Sequence, residues 1–139
     1  MDASPPLLVV DSSVVVKWFV HENENHVPAA LDVLEKHLDG SHVLAAPDHL
    51  RLEVLNALRC RRLSDVHLIE AAERLELANL AWFSVDGPLT RAAIALSGRH
   101  KLTIYDAVFA ALAVSLGCEL VTDDRQLAAS GACDVRTLD

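Results

Sequence analysis

The sequence predicts an α/β domain with a five-stranded, mainly parallel sheet and helices on both faces. Three observations carry that prediction. Short apolar runs, Leu7–Val10 first among them, do not alternate with polar residues, so both faces of each strand must be covered. Segments with apolar residues at helical spacing separate these runs, and strand–helix alternation winds a parallel sheet. The 139 residues contain no repeat, low-complexity tract or linker, which makes residues 1–139 one domain.

Leu7–Val10 is the first strand, and Asp11 follows it at the carboxyl end, the edge where open parallel sheets bind ligands. An Asp there is often only a helix cap, but Ser12 and Ser13 could supply that cap themselves. Val14–Val20 is a short apolar helix, and residues 21–26 form a polar loop. Pro28 suits the first turn of a second helix with Leu31, Leu34 and Leu38 on one face, ended by Gly40. His42–Ala46 reads as the second strand, closed by Pro47.

Asp48 can cap a third helix running to about Arg61, with Leu50, Val54, Ala57 and Leu58 on one face. Glu53 lies in the middle of that stripe, where an ionised acid is costly unless paired or bound to a cation. The plain alternative is a rim Glu bridged to a surface Arg. Ser64 caps a fourth helix to about Asn79, with Leu68, Ala72 and Leu75 inward and Glu70, Glu73 and Glu76 on a solvated face.

Ala81–Val85 is the third strand and Leu89–Ser97 the fifth helix. Residues 98–101, Gly-Arg-His-Lys, make a compact basic turn. Leu102–Val114 is apolar almost all round and therefore a buried helix, with Asp106 as its only charge. Thr103 to Asp106 also fits a capping box, which would explain that acid without any function. Glu119–Thr122 is the fourth strand, Asp123 and Asp124 open a short helix, and residues 134–138 form an edge strand.

Net charge is −8, from 12 basic and 20 acidic residues, which excludes a protein that holds nucleic acid by a broad basic surface. Aromatic residues make up only 4%, too few for a stacking platform. The 52% hydrophobic content exceeds what a core this size requires and points to a partner interface. Cys60, Cys118 and Cys133 are odd in number and widely spaced, so buried thiols in a reducing, cytoplasmic setting are expected, without disulfides or zinc. No signal peptide or membrane span is recognisable.

In this topology Asp11 and Asp124 share one sheet edge, and Glu53 and Asp106 project from helices that start there. Carboxylates about 4 Å apart repel by roughly 4 kcal/mol at an effective dielectric of 20. Either protons or divalent cations must neutralise such a group. Carboxylate oxygens suit Mg²⁺ or Mn²⁺, the usual equipment of phosphoryl chemistry.

The apolar strand ending in Asp11-Ser12-Ser13, the segment from Pro47 to Leu58 around Glu53, the segment from Tyr105 to Ala113, and Leu120 to Leu127 together resemble the PIN-domain nucleases, most of all VapC-type toxins of toxin–antitoxin pairs. The resemblance covers essentially the whole chain. It implies a PIN-like fold, Mg²⁺- or Mn²⁺-dependent endoribonuclease activity with one or two ions per site, a homodimer, and inhibition by a cognate antitoxin.

By position, the resemblance makes Asp11, Glu53, Asp106 and Asp124 the catalytic, metal-binding acids, with Ser13 and Thr122 orienting carboxylates or waters behind them. Asp123 occupies a position that is commonly small in the family, so it either adds a ligand or shifts the metal register. Arg59, Arg61, Arg62, Arg99 and Lys101 are candidates for steering the RNA backbone. A phosphoacceptor receiver would need paired acids after the first strand and a Lys near the last; Ser12 and Ser13 stand there instead, and no Lys follows Lys101. The rival from another class is a catalytically silent acidic module that binds a basic peptide or protein.

Overall fold

Residues 4–139 are described in a computed structural model. In chain order the elements are β1 (Leu7–Val10), α1 (Ser12–Val15), α2 (Val27–Leu38), β2 (Val43–Pro47), α3 (Leu50–Cys60) and α4 (Asp65–Leu77). There follow β3 (Ala81–Phe83), α5 (Gly87–His100), α6 (Ile104–Leu116), β4 (Glu119–Thr122), α7 (Arg125–Ala129) and β5 (Val135–Thr137). All strand pairings are parallel, in the order β3-β2-β1-β4-β5. The predicted α/β class and five-stranded sheet are therefore present, and among the described residues no pairing is antiparallel.

The order reverses direction at β1. Connections β1→β2→β3 run one way, whereas β3→β4→β5 run the other, and right-handed crossovers then put their helices on opposite faces. The crevice opens where the direction changes, at the carboxyl ends of β1 and β4. Asp11 and the pair Asp123-Asp124 follow those two strands directly.

Val9, Val10, Leu44, Ala45, Leu120 and Val121 are buried on both faces of the sheet. Helix α6 packs across β1, β2 and β4 and is buried from Ala107 to Ala113. Its apolar sequence is needed because it meets both the sheet and α5. Among the described residues no helix is long and apolar enough to cross a membrane. The single domain expected over 1–139 includes Met1 to Ala3, which lie outside the described residues.

Several boundaries differ from expectation for identifiable reasons. The helix expected over Val14–Val20 begins earlier, as α1, and tightens into a 3-10 turn at Val16–Trp18. Pro47 is part of β2, its last residue, in register with Phe83, and the strand starts at Val43 rather than His42. The Val43 N–H points to Pro6 on the β1 side and the Asp48 N–H to Phe83, so the donor that Pro47 lacks would face the last residue of β1, and its loss costs the ladder only its final step. His49, not Asp48, is the cap residue of α3, while Asp48 sits 3.6 Å from Arg51.

The third strand ends at Phe83, short of Val85. Gly98 to His100 do not form a turn but complete α5, where Arg99 and His100 oppose the negative end of the helix dipole; Lys101 alone turns, in the left-handed region. Thr103 caps α6 by accepting the Asp106 N–H at 3.1 Å, which is half of the expected box. The cysteines are free, but Cys60 at the end of α3 is exposed and Cys118 and Cys133 are only half-buried, contrary to the expectation of buried thiols.

Candidate functional site

Asp11 is buried, with 4% of its surface exposed, at the end of β1. Its Oδ1 accepts the Ser13 hydroxyl at 2.6 Å and, more weakly, the Val14 N–H at 3.4 Å; its Oδ2 accepts the Thr122 hydroxyl. Asp11 therefore caps α1 after all, and Ser13 serves it rather than replacing it. Thr122 is fully buried and its oxygen also accepts the Asp124 N–H at 3.0 Å, which ties the end of β4 to the end of β1.

Burial pushes the Asp11 carboxyl up to about 6, against the lowering effect of the Ser13, Thr122 and Val14 bonds, and the charge of Asp124 adds to the rise. Glu53, in the first turn of α3, is pushed up to about 7 by partial burial and by the charges of Asp106 and Asp11. Asp106 is raised by burial and by Asp124, with Thr103 opposing. Asp11, Glu53 and Asp106 thus each feel the charge of at least one other acid of the group. Asp124 caps α7, accepting the Leu127 N–H at 2.9 Å.

Glu53 and Asp106 line a cleft of about 580 Å³ between α3 and the start of α6, together with His49, Leu52, Asn56, Thr103 and Tyr105. The His49 ring packs on Phe109, 4.7 Å between centroids, and its Nε2 lies 3.7 Å from a Glu53 oxygen. Its ring nitrogens are buried without hydrogen-bond partners among the described residues, and burial holds the imidazole below its ordinary range. The i,i+4 spacing of His49 and Glu53 was the sequence signal for this neighbour.

The protein's cations pair elsewhere. Among the described residues no Lys or Arg comes within ion-pair distance of Asp11, Glu53, Asp106 or Asp124. The carboxylates do not close into a cage either, since among the described residues no three Asp, Glu, His or Cys side chains are near enough to hold one ion. A set of hard oxygen donors without internal cations fits Mg²⁺ or Mn²⁺, and an open set suits an ion that keeps several waters.

A family model of the PIN domain matches residues 8–131. The chain belongs to the PIN-domain family. Among solved structures, VapC20 of Mycobacterium tuberculosis, a sarcin–ricin loop cleaving toxin, is similar with a TM-score of 0.72 at 20% identity, covering 93% of this chain and 98% of that one. VapBC2 of Rickettsia felis, bound to a DNA fragment from their promoter, gives 0.71 at 12% identity over 96% and 99%. A toxin–antitoxin complex from Klebsiella pneumoniae gives 0.68 at 17% over 95% and 98%. At such identities these likenesses speak for the fold. No curated protein matches the sequence.

Within this PIN domain Asp123 faces a different neighbourhood from Asp124. Its carboxylate lies 3.0 Å from Lys17 Nζ and 3.1 Å from His26 Nδ1, and its N–H donates to Ser13 Oγ at 2.8 Å. Lys17, buried at 3% exposure, also holds Glu24 at 2.7 Å, and Arg61 pairs with the other Glu24 oxygen. Sequence reasoning missed Lys17, although one cation inside an apolar run from Val14 to Phe19 was the available signal. Of the basic candidates, Arg59 is held by Asp65 at 2.7 Å and Arg61 by Glu24. Arg62, Arg99 and Lys101 are exposed and have no carboxylate partner among the described residues.

Proposed function

We propose that this chain is a cytoplasmic, metal-dependent endoribonuclease, the toxin of a toxin–antitoxin pair, which hydrolyses RNA phosphodiester bonds with Mg²⁺ or Mn²⁺. The observation that carries the reading is a set of carboxylates, Asp11, Glu53, Asp106 and Asp124, whose charges act on one another and which have no Lys or Arg within ion-pair distance among the described residues. Membership of the PIN-domain family supports a nuclease, and the loop-cleaving neighbour supports RNA as the substrate class.

Those four acids would hold one or two ions, each through no more than two of the carboxylates as they stand, with water filling the remaining positions. Bound there, the ions supply a water of lowered pKa and stabilise the leaving oxygen. The chain's own part is to fix the donors before the metal arrives: Ser13 and Thr122 hold the Asp11 carboxylate by its two oxygens, and Thr122 fixes the turn that carries Asp124. A strand of nucleic acid would lie in the cleft of about 580 Å³ between α3 and α6, beside Glu53 and Asp106. In the reaction a water oxygen bonds to phosphorus, the bond from phosphorus to O3′ breaks, and a proton passes to O3′, leaving a 3′-hydroxyl and a 5′-phosphate.

The antitoxin and a second copy of the chain are the proposed protein partners. Val66, Ile69 and Leu77 are exposed along one stripe of α4, an apolar surface that suits association. The test is to map cleavage sites in total RNA after expression, with Asp11→Asn as control. Wild type is expected to cut only with Mg²⁺ or Mn²⁺ and the variant not at all. Full activity of Asp11→Asn removes that acid from the site. Intact RNA under every condition favours the silent acidic module instead.

A further inference from the structure

The tandem acids Asp123 and Asp124 present a choice, because either could turn toward Asp11 and Asp106. We infer that Lys17 makes that choice: its buried ammonium draws Asp123 away from the cleft and so sets the turn after β4 with Asp124 facing the other acids. The inference rests on the assignment of the four acids above and names the residue that determines which carboxylates belong to the set.

Lys17 Nζ bonds Glu24 at 2.7 Å and Asp123 at 3.0 Å, and His26 takes the second Asp123 oxygen at 3.1 Å. Arg61 supplies the further positive charge that Glu24 requires. Two carboxylates thus face two cations, and this buried group is balanced without any metal. The Lys17 ammonium is held above its ordinary range because the Glu24 and Asp123 bonds outweigh the lowering effect of its burial. It is therefore charged wherever the enzyme works.

The same turn is held from the other side by backbone donors. The Asp123 N–H reaches Ser13 Oγ at 2.8 Å, and Ser13 in turn donates to Asp11 at 2.6 Å. The Asp124 N–H reaches Thr122, and the Asp124 carboxylate caps α7. Lys17 is thus linked through Asp123 and Ser13 to Asp11, and it acts on the site as a positioning residue without touching substrate. Without its ammonium, Glu24 and Asp123 would be two acids sharing a buried space, and the nearest relief for Asp123 is rotation out of it, which carries the turn along.

The experiment compares wild type, Lys17→Met and Lys17→Met/Asp123→Asn. Mn²⁺ alone is titrated calorimetrically into each metal-free protein, and the backbone amide signals of Ser13, Thr122, Asp123 and Asp124 are followed by NMR. Lys17→Met is expected to bind Mn²⁺ at least tenfold more weakly and to shift those amides; the double variant, which removes the stranded acid, is expected to return both close to wild type. If Lys17→Met behaves as wild type, or if the double variant stays as impaired as the single one, the inference is overturned. Where Lys17→Met does not fold, the double variant decides alone: folded with wild-type Mn²⁺ affinity supports the inference, and failure in either respect overturns it. If wild type itself binds no Mn²⁺, the metal assignment falls, while the amide signals still decide whether Lys17 sets the turn.

Discussion

Asp11 at the end of β1 and Thr122 at the end of β4 are joined by a hydroxyl-to-carboxylate hydrogen bond across 111 positions of sequence. Both side chains are buried, so water cannot replace either partner. The bond works in two directions. It lowers the proton affinity of an acid that burial raises, and it fixes a hydroxyl oxygen that must accept the Asp124 N–H.

Replacing Thr122 by Val keeps the volume and removes the hydroxyl. The Asp11 carboxylate then loses a donor and the Asp124 N–H an acceptor, at a cost of about 1–3 kcal/mol for each buried group left unsatisfied. Asp11 should hold its proton to a higher pH, because burial keeps its full effect while one opposing bond is gone. The expected outcome is a lower melting temperature together with an acid limb of the pH–rate profile displaced toward alkaline pH. Thr122→Ser, which keeps the donor, should restore the profile.

Glu53 couples the proposed metal site to stability. Its carboxyl stands at about 7 in the folded chain against an ordinary value of 4.5. Below about 4.5 both folded and unfolded chains hold the proton; between 4.5 and 7 only the folded one does, so folding stability falls as pH rises through that window. Above about 7 the penalty is complete, on the order of 3–4 kcal/mol at roughly 1.4 kcal/mol per pKa unit. Metal-free Glu53→Gln should therefore melt several degrees above wild type at pH 8 and show little advantage at pH 5. Saturating Mn²⁺ should raise the wild-type melting temperature and leave the variant nearly unmoved. An equal gap at both pH values would show that Glu53 is not held in a repulsive field.

Asp11, Glu53 and Asp106 were legible because each is an acid where apolar residues dominate, and local pattern suffices to notice that. The parallel sheet was legible for a similar reason, since unbroken apolar runs leave a strand nowhere to go but the interior. The fate of Asp123 was not legible. Adjacent acids in a turn look alike in sequence, and what separates them here is Lys17 and His26, brought up by the fold from a distant segment. Arg59 and Arg61 failed to stand out from Arg62 for the same reason, as their partners Asp65 and Glu24 become partners only in three dimensions. Pro47 misled because a missing N–H at the last residue of a strand costs only the final step of the ladder.

The exposed cations should separate from the paired ones in their response to salt. Lys101 lies two residues before Thr103 at the rim of the cleft, and Arg99 is on the last turn of α5. If both meet phosphates of a single strand, removing them should reduce the salt dependence of RNA binding by roughly 0.7 in logarithmic slope per contact. Arg99→Ala/Lys101→Ala is thus expected to raise KM at low salt, leave Mn²⁺ affinity unchanged and flatten the plot of log KM against log salt. Arg59→Ala should change that slope less, because Asp65 already takes up its charge. Equal slopes for the double variant and wild type would exclude Arg99 and Lys101 from the RNA path.

Helix α4 gives the partner proposal its sharpest handle. Val66, Ile69 and Leu77 fall within one stripe at helical spacing and are exposed, Leu77 at 81%. The inward face is a separate one, occupied by the buried Ala71 and Leu75, so changes on the outer stripe leave the core intact. Glu73 lies within the stripe, and Glu70 and Glu76 border it but already face Arg74 at 2.6 Å and Arg51 at 3.6 Å, so a basic partner segment covering the apolar residues would meet the charge of Glu73. Ile69→Lys/Leu77→Lys should therefore keep the melting temperature within a few degrees of wild type and keep RNA cleavage. Sedimentation is expected to show a smaller species than wild type, or co-expression with the cognate antitoxin should fail to protect cells. A double variant that assembles and is neutralised like wild type would move the interface off α4.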